Sequence, residues 1–342
     1  MIVRGFLRTL GALLILCGLA APAAAETAAE FYQGKVVKLV VGYGAGGGSD
    51  AYARLLAPHL ERRLGATVVV ENRPGGGGTV ALNQVAAARP DGLAIMIVSA
   101  ASAVFSQVLE VEGVRYDLDR LGLLGRVVDE KRVLVWSTQS SFGTLADVMN
   151  AGRAIRFSGT SRTSPIAAGS AFVAEALGLQ ASVVAGYKGS KEIALAAIRG
   201  EVDGFIPSDS SARRYGKEDG LVPFATISRE RSPLLPEVPT IFEMTELAPA
   251  RAWWIDYCEA LFSLGRAFVT TPDLPADRLR FLQEAVADVL TDPAVVAEGE
   301  ASKRPLNYAD PEATRALIAK VMSGLAEEDI ARVRHVALEK YK

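Results

Sequence analysis

The chain has 342 residues, half of them hydrophobic, and its 37 Lys and Arg residues nearly balance its 39 Asp and Glu residues. This length predicts roughly two domains of about 150 residues each, with enough apolar content for a core in each. A formal net charge of −2 argues against a nucleic-acid-binding protein, which usually carries a basic excess. Two His and two Cys residues argue against an ordinary zinc site. We therefore predict no metal and no nucleic-acid partner.

The first 25 residues predict an export signal. Arg4 and Arg8 precede an apolar run over 10–20, which is followed by small residues ending at Ala25. A basic start, a short apolar segment and an Ala-x-Ala site are typical of a signal peptide, here cleaved after Ala25. A membrane anchor is the alternative, but a bilayer span needs about 20 apolar residues. A lipoprotein modified at Cys17 is disfavoured by the large residue before it. The mature protein is therefore predicted to be exported.

Apolar strands alternate with helical patterns along the rest of the chain. The run over 36–41 is apolar except for Lys38 and is interpreted as a strand buried on both faces of a parallel sheet. The pattern predicts strands at 36–41, 67–70, 93–98, 133–136, 154–158, 181–184, 202–206 and 221–227. It predicts helices at 49–64 (ended by Gly65), 166–177, 192–198, 275–290, 293–301, 311–322 and 327–338. This alternation predicts an α/β fold with mainly parallel sheets.

The first candidate ligand loop runs from Gly42 to Asp50, between the first strand and the first long helix. A strand, a glycine turn and a helix N-terminus together expose free N–H groups near a partial charge of about +0.5. Ser49 or Asp50 would serve only as a helix cap in the simpler interpretation. Four glycines in five positions exceed what a cap needs. We therefore predict an anion-binding loop whose candidates are Tyr43, Gly44, Ala45, Gly46, Gly47, Ser49 and Asp50.

A second glycine-rich loop, over 71–79, also follows a strand and precedes a helix. Thr79 is its predicted helix N-cap, and a flexible turn is the alternative interpretation of its four glycines. Two loops after the first two strands of one sheet would lie side by side at its carboxyl edge, where open α/β sheets bind ligands. The candidates here are Gly76, Gly77 and Thr79.

The third candidate loop covers 158–165 and is rich in hydroxyl groups. Pro165 fits the first helical position and Ser164 fits the N-cap. Arg162 would suit a carboxylate, which an arginine can bind through two parallel hydrogen bonds. A solvated surface loop with one capping serine explains these residues equally well. The candidates are Ser158, Thr160, Ser161, Arg162, Thr163 and Ser164.

The first loop also has the spacing of a dinucleotide-binding fingerprint. Gly42, Gly44 and Gly47 follow a strand, and Glu71 ends the next strand. The export signal argues against this interpretation, because nicotinamide cofactors are scarce outside the cytoplasm. A serine hydrolase is disfavoured because the chain has no Gly-x-Ser-x-Gly motif. A dinucleotide-dependent oxidoreductase is therefore the alternative to a binding protein.

Taken in order, these motifs resemble the Bug family, the TctC-like periplasmic receptors of tripartite tricarboxylate transporters. The most specific segments are Val-Glu-Asn-Arg-Pro-Gly at 70–75 and Leu-Pro-Glu-Val-Pro-Thr at 235–240. Ala-Gly-Gly-Gly-Ser-Asp at 45–50 and Gly-Glu-Val-Asp at 200–203 add to them. The resemblance covers nearly all of residues 35–275.

The resemblance implies a periplasmic Venus-flytrap receptor, not an enzyme, without a cofactor and monomeric. Two α/β lobes would close on a small organic carboxylate and deliver it to the membrane permease of a tripartite transporter. Residues 26–133 and 228–342 would form lobe 1, and 134–227 lobe 2. Residues 43–50 and 158–164 would form two opposed pincers, with 73–79 lining the cleft. A receptor that signals to a membrane sensor, instead of supplying a permease, is an alternative. It would need the same closed form, so the sequence does not distinguish the two.

The chain departs from the family pattern at several positions. Ile166 stands where family members often have His, and Pro207 stands where they have Asp or Asn. Ser208 and Asp209, which follow, are therefore further ligand-binding candidates. Residues 247–265 look inserted. These departures do not change the predicted fold or protein class, but they leave the identity of the ligand undetermined.

The tryptophans and the single cysteine of the mature chain are predicted to be core residues. A functional role for Trp136, Trp253 or Trp254 would be a cleft wall for an aromatic acid, but indole rings more often pack in cores. Cys258 is predicted to be a small buried hydrophobe, not a reactive thiol.

Overall fold

The computed structural model describes residues 26–218 and 220–342, so the predicted signal peptide lies outside the described residues. The larger sheet has five strands: β1 (Val36–Val41), β2 (Thr67–Asn72), β3 (Ala94–Ser99), β4 (Gly122–Val128) and β10 (Arg266–Thr270). Their order across the sheet is β2-β1-β3-β10-β4. The first three strands are parallel, because helices α2 (Gly48–Leu64) and α3 (Thr79–Ala86) carry the chain back between them. Strand β10 runs antiparallel to both of its neighbours.

The remaining strands form two small sheets. Strands β5 (Val133–Ser137), β8 (Gly204–Phe205) and β9 (Leu221–Thr226) are arranged as β8-β5-β9, with both pairings antiparallel. Strands β6 (Ile155–Gly159) and β7 (Ala181–Ala185) form a parallel pair. The two sheets are joined just before β8, where the Asp203 N–H donates to the Arg156 carbonyl over 2.7 Å.

The sheets are mixed, whereas the sequence predicted mainly parallel ones. Three strand pairings are parallel and four are antiparallel among the described residues. A continuous apolar run indicates that a strand is buried on both faces, but it carries no information on strand direction. Strands β4 and β10 were also absent from the prediction. Residues 247–265, directly before β10, had been interpreted as an insertion.

Helices cover the sheets on both sides. Besides α2 and α3 they are α1 (Ala28–Tyr32), α4 (Ala100–Val108), α5 (Leu145–Met149), α6 (Pro165–Leu177), α7 (Ser190–Ile198), α8 (Asp209–Tyr215), α9 (Ile241–Met244), α10 (Pro249–Phe262), α11 (Ala276–Thr291), α12 (Pro293–Ala301), α13 (Pro311–Ser323) and α14 (Glu327–His335). A π-helical turn, Val336–Lys340, follows α14. Gly65 ends α2 in the left-handed conformation at φ +65°, as the sequence predicted. Within the described residues, no helix is long and apolar enough to cross a membrane.

The predicted core residues are buried. Trp136, Trp254 and Cys258 are at most 4% exposed, and Trp253 is half-buried, stacked on Tyr257. Burial raises the pKa of the Cys258 thiol, so the group is neutral at physiological pH. The segment that looked inserted is helix α10, which buries Trp254 and Cys258 on its inner face. The prediction that these residues pack in the core is confirmed.

Candidate functional site

A small cavity lies between the five-stranded sheet and the two smaller sheets. The N-termini of four helices of nine or more residues, α2, α4, α6 and α7, reach its wall. Each presents free N–H groups and the positive end of a helix dipole, which favour an anion. The lining residues are Tyr43, Gly47, Gly48, Ser49, Ser99, Glu130, Arg132, Thr160, Ser164, Pro165, Ile166, Ser190, Pro207, Ser208, Ser211 and Arg266.

The first predicted loop contributes Tyr43, Gly47 and Ser49 to this wall. Asp50 does not line the cavity and instead fastens the loop. Its carboxylate accepts hydrogen bonds from the Gly46 N–H at 2.7 Å, from Arg54 and from Asn72. Burial alone would raise the pKa of Asp50, but these bonds outweigh burial and hold the pKa below its ordinary value. The carboxylate is therefore ionised and fully engaged within the protein.

The remaining members of the first loop reach across the mouth of the cavity. The Gly44 N–H donates to the Lys188 carbonyl at 2.7 Å, and the Gly46 carbonyl accepts from Arg214 at 3.1 Å. Lys188 precedes α7 and Arg214 lies on α8. Ala45 lies between these two contacts and is exposed. Gly44, Ala45 and Gly46 therefore belong to the closed rim of the cavity and not to its wall.

The second predicted loop lies behind Tyr43. The Tyr43 hydroxyl donates to the Gly77 carbonyl at 2.7 Å. Positive φ angles at all four glycines, 75–78, give a tight turn that other residues would strain. Thr79 is the first residue of α3 and the N-cap is Gly78, so the prediction that Thr79 is the N-cap was wrong. Gly77 and Thr79 line a separate, smaller cavity, while Gly76 lines neither.

The third predicted loop places two hydroxyl groups in the wall, those of Thr160 and Ser164. Ser164 is the N-cap of α6, as predicted, and its Oγ accepts from the Ala167 N–H. The Thr160 hydroxyl is buried and has no hydrogen-bond partner in the described structure. The buried Ser158 hydroxyl also lacks one, but Ser158 does not line the cavity. Thr160 therefore offers a ligand an unused polar group.

The other residues of this loop are engaged elsewhere. Arg162, which the sequence predicted to bind the carboxylate, donates to the Tyr341 carbonyl at 2.8 Å and does not line the cavity. It anchors the end of the chain, which the sequence alone could not place beside this loop. Thr163 bonds Ser102 and Ser106 of α4, and the Ser161 side chain lies against Gly77. Ser161 and Thr163 therefore join the two sides of the cavity.

Three charged residues that sequence reasoning missed line the cavity. Glu130 and Arg132 lie in the short segment that links β4 to β5, and Arg266 is the first residue of β10. Their exposed fractions are 7%, 5% and 7%. Charged side chains are almost never this deeply buried unless they are paired. The sequence did offer one indication of them, because each of these charged residues stands beside or within a strongly apolar strand.

These three side chains form a charged network. Arg132 donates to one oxygen of Glu130 at 3.1 Å, and Arg266 forms an ion pair with the other oxygen. Arg266 also donates through Nε to the Ser49 hydroxyl at 3.1 Å. Burial lowers the pKa of Arg132 to about 10, which leaves the guanidinium charged at neutral pH. The Arg132 Nε is buried and has no hydrogen-bond partner in the described structure.

The last two predicted candidates follow Pro207. Ser208 lines the cavity and its hydroxyl donates to the Ser211 hydroxyl at 3.2 Å. Asp209 does not line the cavity; its carboxylate accepts from the Ser232 hydroxyl and from the Ser210 N–H, both at 2.8 Å. Burial raises the pKa of Asp209. In the described chain, no group of three or more His, Cys, Asp or Glu side chains could hold a metal ion.

Comparison with known proteins gives consistent matches. Residues 52–307 match the family described as "Tripartite tricarboxylate transporter family receptor". Protein BugT of Bordetella pertussis is 25% identical, with 96% of this chain and 98% of BugT covered. A UPF0065 protein of Bordetella bronchiseptica is 34% identical over 119 residues, a match that spans about a third of that relative (34%) and 35% of this chain.

A solved structure shows the fold. The structure of MatC (Rpa3494) from Rhodopseudomonas palustris with bound malate aligns with a TM-score of 0.72 at 21% identity, covering 89% of this chain and 99% of MatC. This likeness confirms the predicted fold class, two α/β lobes with a cleft between them.

Proposed function

The chain belongs to the family of tripartite tricarboxylate transporter receptors, and from this premise we propose that it binds a small organic carboxylate in the cavity described above. Members of this family are periplasmic solute-binding receptors, so the chain is a receptor and not an enzyme. Its ligand would be delivered to the membrane permease of a tripartite tricarboxylate-type transporter. The chain would be exported to the periplasm, and its signal peptide would be cleaved after Ala25.

The single observation that carries the carboxylate assignment is the buried pair Arg132 and Arg266 in a wall that also holds four helix N-termini. A hydrogen bond to a charged group contributes about 1.5–3 kcal/mol. Three or four such bonds reach the roughly 8 kcal/mol of a micromolar complex before ordering costs are subtracted. The unused groups of Arg132 and Thr160 supply two of the donors.

We further propose that lobe 1 comprises residues 26–133 and 228–342 and that lobe 2 comprises 134–227. Sheet membership supports this division, because β1–β4 and β10 share one sheet while β5–β9 form the others. Glu130 and Arg132 would then lie at the first crossing between the lobes. A ligand held by Arg132 and by the N-terminus of α6 would contact both lobes. Only contacts of this kind, absent from the open form, shift the population towards closure.

A thermal-shift screen of the mature protein tests this proposal. The panel contains mono-, di- and tricarboxylates, aromatic acids, amino acids, NAD and NADP. A ligand that binds only the folded state raises its Tm. We expect at least one carboxylate to raise the Tm in a concentration-dependent way and to be recovered unchanged. Stabilisation by NAD or NADP with none by any acid would contradict the proposal.

A further inference from the structure

The charges of the side chains that line the cavity do not balance. Among the described residues that line it, the charged ones are Glu130, Arg132 and Arg266, which together carry one net positive charge. All three are more than nine-tenths buried. A charge placed in such surroundings is costly unless an opposite charge meets it. The cavity wall therefore has one positive charge to be matched by a ligand.

Glu130 is committed to the protein. One of its oxygens accepts from Arg132 at 3.1 Å and the other is paired with Arg266. Neither oxygen is left without an arginine, so Glu130 is not placed to receive a ligand ammonium group. Its effect on a ligand is to cancel one of the two arginine charges. This arrangement disfavours an amino acid, whose ammonium group would find no free carboxylate in the wall.

The two arginines differ in what they leave free. Arg266 is held by Glu130 and by the Ser49 hydroxyl, while its guanidinium lies 5.1 Å from the centre of the Tyr52 ring. Arg132 lies 4.9 Å from the centre of the Phe262 ring and keeps an unpartnered Nε. Arg266 Nη1 faces Glu130, so Arg132 is the arginine that keeps a buried donor with no acceptor facing it in the described structure.

We infer that the cavity selects a ligand with one carboxylate and an otherwise uncharged body, and that Glu130 sets this limit. The inference rests on the proposed function and specifies its substrate class. A first carboxylate would be matched by the net positive charge at Arg132. A second one would be buried without a free cation and would face Glu130. The uncharged remainder of the ligand has Pro165, Ile166 and Pro207 as an apolar part of the wall.

Isothermal titration with matched acids tests this limit. Each pair consists of a dicarboxylate and its monoamide, which differ by one charge at almost equal size: succinate with succinamate, adipate with adipamate, and phthalate with phthalamate. At neutral pH we expect the monoamide of the best-binding pair to bind at least about ten-fold more tightly than the dicarboxylate. A dicarboxylate that binds as tightly as its monoamide, or more tightly, would overturn the inference.

A Glu130→Gln variant tests the residue assignment. Removing the negative charge gives the wall two net positive charges, so we expect the preference for the monoamide to fall by about ten-fold or to reverse. Glu259→Gln is the matched control, because Glu259 pairs with Lys131 at 2.9 Å and does not line the cavity. An unchanged preference in a folded Glu130→Gln variant would remove Glu130 from this role.

The outcomes separate the inference from the proposed function. If no acid in the screen or in these pairs binds the wild-type protein, carboxylate reception fails and the inference fails with it. If acids bind without preference for one charge, reception stands and only the inference fails. If the Glu130→Gln variant does not fold, the wild-type comparison still decides the charge limit.

Discussion

Replacing Arg132 by Met should weaken carboxylate binding while leaving the fold in place. Methionine is long and apolar, so it can keep packing against Phe262 where the guanidinium now lies 4.9 Å from the ring centre. The change removes the charge and the unpartnered Nε donor. Glu130 keeps its ion pair with Arg266, so its carboxylate is not left without a partner.

The expected loss follows from the hydrogen bonds that disappear. One charge-assisted bond contributes about 1.5–3 kcal/mol, which corresponds to an increase in Kd of about 10- to 100-fold. Arg132 also carries one of the two positive charges that favour a carboxylate, so the effect should fall at the upper end of this range. Isothermal titration with the best acid from the thermal-shift screen measures it directly.

Arg162→Met is the matched control, because the same substitution is made in the loop that the sequence favoured. Arg162 donates to the Tyr341 carbonyl and lies outside the cavity wall, so its loss should change Kd by less than about two-fold. Circular dichroism and thermal melts confirm that both variants fold. The reasoning is refuted if Arg162→Met abolishes binding while a folded Arg132→Met variant keeps wild-type affinity.

Three further predictions concern acid stability, closure and thiol reactivity. Burial alone would raise the pKa of Asp203, but Arg153 and Arg156 hold it at about 2. A lowered folded-state pKa stabilises the protein above about pH 4, and this contribution is lost as the pH falls towards 2. Because both arginines are half-exposed, we expect Asp203→Asn to lower the free energy of unfolding in urea by about 2 kcal/mol at neutral pH and by little at pH 2. An equal loss at both pH values would contradict this. A side chain at Gly44 would meet Lys188 at 3.2 Å, so we expect Gly44→Val to prevent closure of the lobes on a ligand, whereas Gly152→Val, in open space, should not. Small-angle scattering with and without the acid tests this, and equal contraction of the Gly44→Val variant and the wild type would contradict it. Cys258, fully buried, should resist iodoacetamide until the chain is unfolded, and rapid native alkylation would refute its placement.

Much of the fold was predictable because its local signals were strong. Strand β1 and helix α12 have the predicted bounds, since a strongly apolar run and a Pro at the first helical position mark them clearly. Strand direction was not predictable, because β5 and β10 are as apolar as the parallel strands. Helix α10 was missed as an element because tryptophans and polar residues interrupt its pattern over 249–262.

The sequence predicted only those parts of the site that local backbone geometry forms. The loop at Tyr43–Ser49 and the N-cap at Ser164 follow from glycine spacing and from a Ser-Pro pair, and both reach the cavity. Glu130, Arg132 and Arg266 come from segments more than 130 residues apart and meet only through the crossing of β4 and β10. No local pattern indicates that pairing. Arg162 was assigned to the site because it lies in the hydroxyl-rich loop, and its actual partner, Tyr341, lies 179 residues further along the chain, where no local pattern indicates the contact.

The account as a whole depends on where the acid is bound. A crystal structure of the mature protein, grown with the tightest-binding acid of the thermal-shift panel, locates it directly. We predict that one carboxylate oxygen lies within hydrogen-bond distance of Arg132 and that the other faces the amides at the start of α2 or α6. An acid found on the outer surface, with Arg132 and Thr160 unengaged, would contradict the account.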